Sequence, residues 1–190
     1  MFLGFLKKKC KKCAIGAGVI FLTIIAVLAY GFAPALSVDG HGVGLAEFLK
    51  VESALRHFNN IANQSTATTT PSADLKMQAL GNIIDRKILD KIVEELDPSI
   101  NQKADALVRD TLSKQKNLSL DEAANKLYGL SGDDFIKLVL IPQAERDLLM
   151  ERFKDNPSRL GDIWNNAASH AKIKIYYPGY YWDGTSLKTK

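Results

Sequence analysis

Beyond residue 45, apolar side chains recur at intervals of three and four, the spacing that gathers them on one face of a helix. Leu45, Phe48, Leu49, Leu55, Phe58 and Ile61 form the first such stripe. In the second, over 73–96, Leu80, Ile84, Ile88, Ile92 and Leu96 return every four residues, and Ile83, Leu89 and Val93 widen the face. So broad a stripe predicts a central helix. Asp97-Pro98 reads as an N-cap followed by proline at the first helical position, opening a third helix with Ile100, Ala104, Leu107, Val108 and Leu112 inward.

Local start and stop signals divide the next stretch. Ser119-Leu120-Asp121-Glu122 is a capping box that predicts a short helix to Tyr128, and Gly129 ends it. Ser131-Gly132-Asp133-Asp134 repeats the start signal before the run from Phe135 to Ile141, which periodicity alone assigns equally to strand or buried helix. The cap favours helix. Pro142 should kink that helix or divide it from a further one over 143–155, because proline removes an intrahelical hydrogen bond and crowds the preceding turn. Ser158 is the expected cap of a last helix to His170, and Met77, Met150, Phe153 and Trp164 are expected in the core.

The two ends of this helical region have a different pattern. Residues 171–176 alternate with period two and predict a strand. Leu36-Ser37-Val38-Asp39-Gly40 reads as an extended piece closed by a turn, with 36–39 expected to pair antiparallel with 171–176. Such a two-stranded pairing is marginal unless it leans on helices. The threonine-rich run 63–72 predicts a flexible loop. The sequence has no internal repeat.

Residues 14–35 carry no charged side chain and are long enough, as a helix, to cross a hydrocarbon core of about 30 Å. The expectation is a transmembrane helix over 14–35, or an uncleaved signal. Lys7, Lys8, Lys9, Lys11 and Lys12 precede it, which places 1–13 in the cytoplasm and the domain on the outer side of a cytoplasmic (inner) membrane. Ala33-Pro34-Ala35 has the small-x-small form of a cleavage site, but the apolar stretch exceeds a usual signal core, so a retained single-pass anchor in membrane lipid is favoured.

Charge and cysteine content narrow the function. Those five lysines account for the excess in a net charge of +4, and the remaining basic residues nearly balance the 21 acidic ones. A nucleic-acid groove is therefore not expected, since it needs clustered cations on the folded surface. Cys10 and Cys13 lie among the lysines and no cysteine follows, so the domain has no disulfide; one lone CxxC is a weak metal or redox signal.

Val38-Asp39-Gly40 before a helix carrying Glu47-Phe48, then Ile88-Leu89-Asp90-Lys91-Ile92-Val93-Glu94-Glu95, resembles the SurA-type chaperone domain. Leu118-Ser119-Leu120-Asp121-Glu122 and Ser131-Gly132-Asp133-Asp134-Phe135 look like its helical connectors, and the similarity covers 36–176. The resemblance implies a mainly α, SurA-N-like helical domain after the transmembrane helix, binding unfolded or newly translocated polypeptides. No parvulin prolyl-isomerase domain fits in the chain, so no isomerase activity is implied.

The chemistry-bearing residues add no catalytic expectation. His41, His57 and His170 lack helical ligand spacing to one another, so no metal or other cofactor is expected. Ser37 and Ser53 lack a nucleophile elbow. Glu94-Glu95 and Asp133-Asp134 stand at a helix end and a helix start, and Gly16-Ala17-Gly18 lies inside the apolar run. What remains is the aromatic tail 177–190, where Tyr177, Tyr180, Tyr181 and Trp182 are candidate peptide- or partner-binding residues. Two functions are open: a membrane-anchored chaperone-like domain, or a membrane-tethered assembly protein that binds one specific folded partner.

Overall fold

A computed structural model describes residues 33–63, 72–115 and 119–190. Strand β1, Pro34–Val38, turns back through Asp39-Gly40 into β2, His41–Gly44. Both turn residues have positive φ, 51° at Asp39 and 87° at Gly40, and Val38 faces His41 across them. That is the two-residue hairpin geometry, whose twist suits antiparallel strands and which Asp-Gly adopts readily. Helix α1 is Leu45–Asn63, α2 is Ser72–Leu96 and α3 is Ser99–Lys114. Next come α4, Leu120–Tyr128, and α5, Gly132–Phe135, which runs into a π-helical turn, Ile136–Leu140. Helices α6, Ile141–Arg152, and α7, Pro157–His170, precede the short strands β3, Ile173–Ile175, β4, Tyr180–Trp182, and β5, Leu187–Thr189.

Helix α2 is central. Leu80, Ile83, Ile84, Ile88, Leu89, Ile92 and Val93 are all buried, against Leu36 and Val38 of β1, Val43 of β2, Phe48 of α1, Leu149 of α6 and Ala167 of α7. β1 lies in the middle of a three-stranded sheet ordered β2-β1-β3, with Leu36 opposite Ile175 and Val38 opposite Ile173. A bulge at Ala35 turns its carbonyl to both the Tyr176 and Tyr177 amides, at 2.9 and 3.0 Å. Asp39 fastens this sheet to the helices. Its carboxylate accepts from the Lys172 amide and from Lys91 Nζ of α2, each at 2.8 Å.

The expected transmembrane helix over 14–35 is corrected where it can be seen. Pro34 and Ala35 belong to β1, and Ala35 is buried in the domain core. Residues 14–32, like the segment 1–13, lie outside the described residues, and among the described residues no helix is long and apolar enough to cross a membrane. Over the described residues the fold is a mainly helical domain with two small sheets. The single-pass inner-membrane location and the lipid partner through 14–35, which depended on the expected span, lose their support with it. Of the expected loop 63–72, residues 64–71 also lie outside the described residues.

Several local expectations change as well. The sheet at the chain ends has three strands rather than two, because Asp39-Gly40 makes a hairpin. Helix α3 starts after Pro98, which takes the N-cap position itself, and Asp97 before it accepts from the Ser99 amide at 3.0 Å. Asn156, not Ser158, caps α7, accepting from the Arg159 amide at 3.3 Å with Pro157 at the first helical position. Met150 is 54% exposed rather than core.

Candidate functional site

The run from Ile136 to Pro142 is built by two caps and one proline. The Ser119 hydroxyl accepts from the Glu122 amide, and Gly129 closes α4 with φ at 65°. Ser131 then accepts from the Asp134 amide to start α5. Between these caps, Asp121 Oδ1 accepts from the Gly132 amide at 2.7 Å, and a β-carbon at Gly132 would lie 2.7 Å from that oxygen, so any side chain there would have to push the Asp121 carboxylate aside. Lys50 Nζ of α1 pairs with Asp134 at 2.8 Å and fixes α5 from the other side.

After α5 the helix widens. The Ile141 amide donates to the Ile136 carbonyl five residues back, the π pattern. Pro142 has no amide hydrogen to give the Leu138 carbonyl, and its ring would crowd that carbonyl in a tight α turn, which the wider turn relieves. The result is a ridge of apolar side chains on a π bulge. From Ile136 to Pro142 no residue is buried, although all but Lys137 are apolar.

The ridge separates two clefts of about 290 Å³ each. In the first, Leu138, Val139 and Pro142 face Val51 and Leu55 of α1 and Ile83 of α2, with Tyr128 and Leu130 closing one end. In the second, Phe135 and Leu140 face Leu107, Val108 and Leu112 of α3. Gln143 lines both, so the clefts adjoin. An aromatic series marks their edge: Phe58 stacks on Tyr128 at 5.2 Å between ring centroids, and Tyr128 meets Phe135 at 5.1 Å. Leu107 and Phe58 are left 46% and 40% exposed there.

The charged side chains lining the first cleft are Arg86 of α2 and Arg146 of α6. Arg86 Nε is buried without a hydrogen-bond partner among the described residues, and its Nη1 reaches Glu47 of α1 only at 3.9 Å. Beneath the ridge, Glu145 of α6 is 5% exposed. Burial pushes its carboxyl above the ordinary range, the Asp90 carboxylate adds to that, and Arg86 works against it.

The tail residues nominated from sequence lie elsewhere. Tyr177 packs on Phe48 at 4.5 Å and on Tyr180 at 6.0 Å, and Lys76 stands 5.7 Å above its ring. Tyr180 is buried, and Trp182 pairs with Leu187 across the β4–β5 hairpin and packs on the core. Tyr181 points outward, 42% exposed. Three of the four thus stack on the sheet end of the core, and none lines either cleft. The histidines are scattered: His57 is hydrogen-bonded to the Lys126 carbonyl and His170 to the Asn166 carbonyl, and among the described residues no group of three or more potential metal ligands forms.

Sequence reasoning missed the clefts. The available signal was an apolar run too short to be a complete helix, ended by proline and preceded by a second cap within a few residues of the first. It located a break but not which side of the run would stay uncovered. Comparison with protein-family models, curated proteins and solved structures finds no match. The likeness to SurA-type domains therefore rests on the caps and apolar stripes already quoted.

Proposed function

We propose that the domain is a polypeptide-binding module that holds one apolar segment of a defined partner protein across the π-helical ridge. The observation that carries it is the ridge itself: the apolar residues Leu138 to Pro142, each only half-buried, between two adjoining apolar clefts. Burying such side chains is worth about 25 cal/mol per Å² of apolar surface, and clefts of this size accept individual side chains of a partner segment.

Binding of many unfolded chains, which the likeness to SurA-type domains implies, would need a broad apolar surface, and the face over 73–96 does not supply one. That face is spent inside the domain, with Leu80, Leu89 and Val93 fully buried. The apolar surface left over is small and shaped, which suits one partner segment better than any exposed chain. A π bulge is also a common feature of functional positions in helices.

The test is selection from a random peptide library on the immobilised full-length chain. Enrichment of one apolar consensus is expected, with binding abolished by Leu138→Asp and Val139→Asp while each variant keeps its helicity and a cooperative unfolding transition. Equal capture of unrelated unfolded chains, or peptides indifferent to both substitutions, would overturn the proposal.

A further inference from the structure

We propose that the first cleft recognises an acidic side chain carried by the partner's apolar segment, through Arg86 and Arg146. The inference rests on the polypeptide-binding reading and adds a chemical class to its ligand. The walls of this cleft are apolar, and its charged side chains are the two arginines, contributed by α2 and α6. An apolar segment with no acid would fill the walls and leave both guanidinium groups facing it.

Arg86 has unused hydrogen-bonding capacity. Its Nε is buried without a partner among the described residues, and Glu47 lies at 3.9 Å from Nη1, beyond a good hydrogen bond. A guanidinium presents donors that match a carboxylate, and Glu47 is too far from Nη1 for a good hydrogen bond, so a carboxylate entering the cleft would meet the accessible end of the Arg86 side chain and pair its charge. Arg146, exposed at the rim, has Asp85 within electrostatic range and supplies the second charge. The other close acid, Glu145, is buried beside Arg86, where burial favours its neutral form and weakens the compensation of Arg86 from within the domain. A side-chain carboxylate rather than a chain terminus is assigned because the second cleft continues from the first past Gln143, leaving room for the segment to run on.

The experiment is fluorescence anisotropy with the full-length chain and labelled leucine- and alanine-rich peptides carrying one central glutamate, one glutamine in its place, or the glutamine with a free rather than amidated C-terminus. The glutamate peptide is expected to bind about tenfold or more tightly than the amidated glutamine peptide, with the preference shrinking as salt rises. Arg86→Met should remove the preference, read as the ratio of the glutamate to the glutamine peptide's affinity on the same variant. Arg146→Gln, at an exposed position, should reduce it and keeps the test decisive if the Arg86 variant fails to fold. Equal binding of the glutamate and glutamine peptides would overturn this inference and leave the polypeptide-binding reading standing. A preference for the free C-terminus, with none for glutamate, would overturn the assignment to a side chain. Failure of every peptide to bind would remove the reading on which the inference rests.

Discussion

Helix α2 and the π-helical ridge are equally apolar over their inward turns, yet only one of them is buried. Leu80, Ile84, Ile88 and Ile92 of α2 are covered by β1, α1, α6 and α7 on successive sides. From Ile136 to Pro142 the chain packs on Ala104, Val108 and Ala144 along one edge and leaves the rest to the two clefts. Hydrophobicity of a segment therefore says how much apolar surface must be dealt with, and neighbouring elements decide whether folding or binding deals with it. The core helix and the candidate site differ in what covers them rather than in composition.

The comparison breaks most readily at its buried end. Leu89→Ala opens a cavity at a position with no exposure, and a loss of about 2–5 kcal/mol is expected from urea unfolding. Leu138→Ala on the ridge should cost under about 1.5 kcal/mol in the same measurement, since its side chain already borders open space. Similar costs at the two positions would mean that the ridge is core after all.

Asp39 gives the next largest effect. Its carboxyl is held below the ordinary range, first by the Lys172 backbone amide and then by Lys91. A depressed pKa stabilises the fold above the unfolded value near pH 4 and loses that contribution as pH falls through the folded value. Asp39→Ala should cost about 1–3 kcal/mol at neutral pH, through the lost bonds and an alanine forced to positive φ, and should flatten the acid limb of the stability curve. Asp39→Asn should lose less, since asparagine tolerates that backbone region. An unchanged acid limb in the alanine variant would remove Asp39 as its source.

These contrasts also mark what could be read from the chain alone. Ser119, Gly129 and Ser131 act as the sequence implies because a cap needs only its own next few residues. The β1–β3 register follows from two short alternating runs. The Asp39-Gly40 dipeptide carries the signal of a hairpin and not only of a turn, and Asn156-Pro157 outcompetes Ser158 by placing proline at the first helical position. The packing of Tyr177, Tyr180 and Trp182 on the core depends on residues such as Phe48, far earlier in the chain, which no local signal contains. The end assigned to the apolar span at residue 35 fails for the same reason: Ala35 is apolar because it enters the core.

Glu145 tests the ridge from below. Burial and Asp90 raise its carboxyl, with Arg86 opposing. A raised folded value means that the favourable contribution is complete below the ordinary range near pH 4 and is lost as pH rises through the folded value. Glu145→Gln should therefore stabilise the domain at pH 7, by about 1 kcal/mol, and match the parent chain at pH 4. A variant less stable at both pH values would show that the ionised carboxylate supports Arg86 more than its burial costs.

The smallest effect on stability should come from Pro142→Ala, and it bears most directly on why the ridge is only partly covered. Alanine restores an amide hydrogen for the Leu138 carbonyl, worth about 0.5–1.5 kcal/mol, and removes the ring that crowds a tight turn. It also releases the unfolded chain from a fixed φ, which costs about 0.4–1 kcal/mol. The two nearly cancel, so unfolding should shift by less than about 0.5 kcal/mol. The geometry should not stay put: with an amide available, the π turn can tighten to α, which rotates Leu138 and Val139 relative to α6 and reshapes both clefts. Amide exchange should then report a new protected hydrogen at position 142, and peptides selected on the parent chain should bind the variant more weakly. If residue 142 becomes protected and the same peptides bind unchanged, the shape of the bulge is irrelevant to recognition, and the ridge contributes only apolar area.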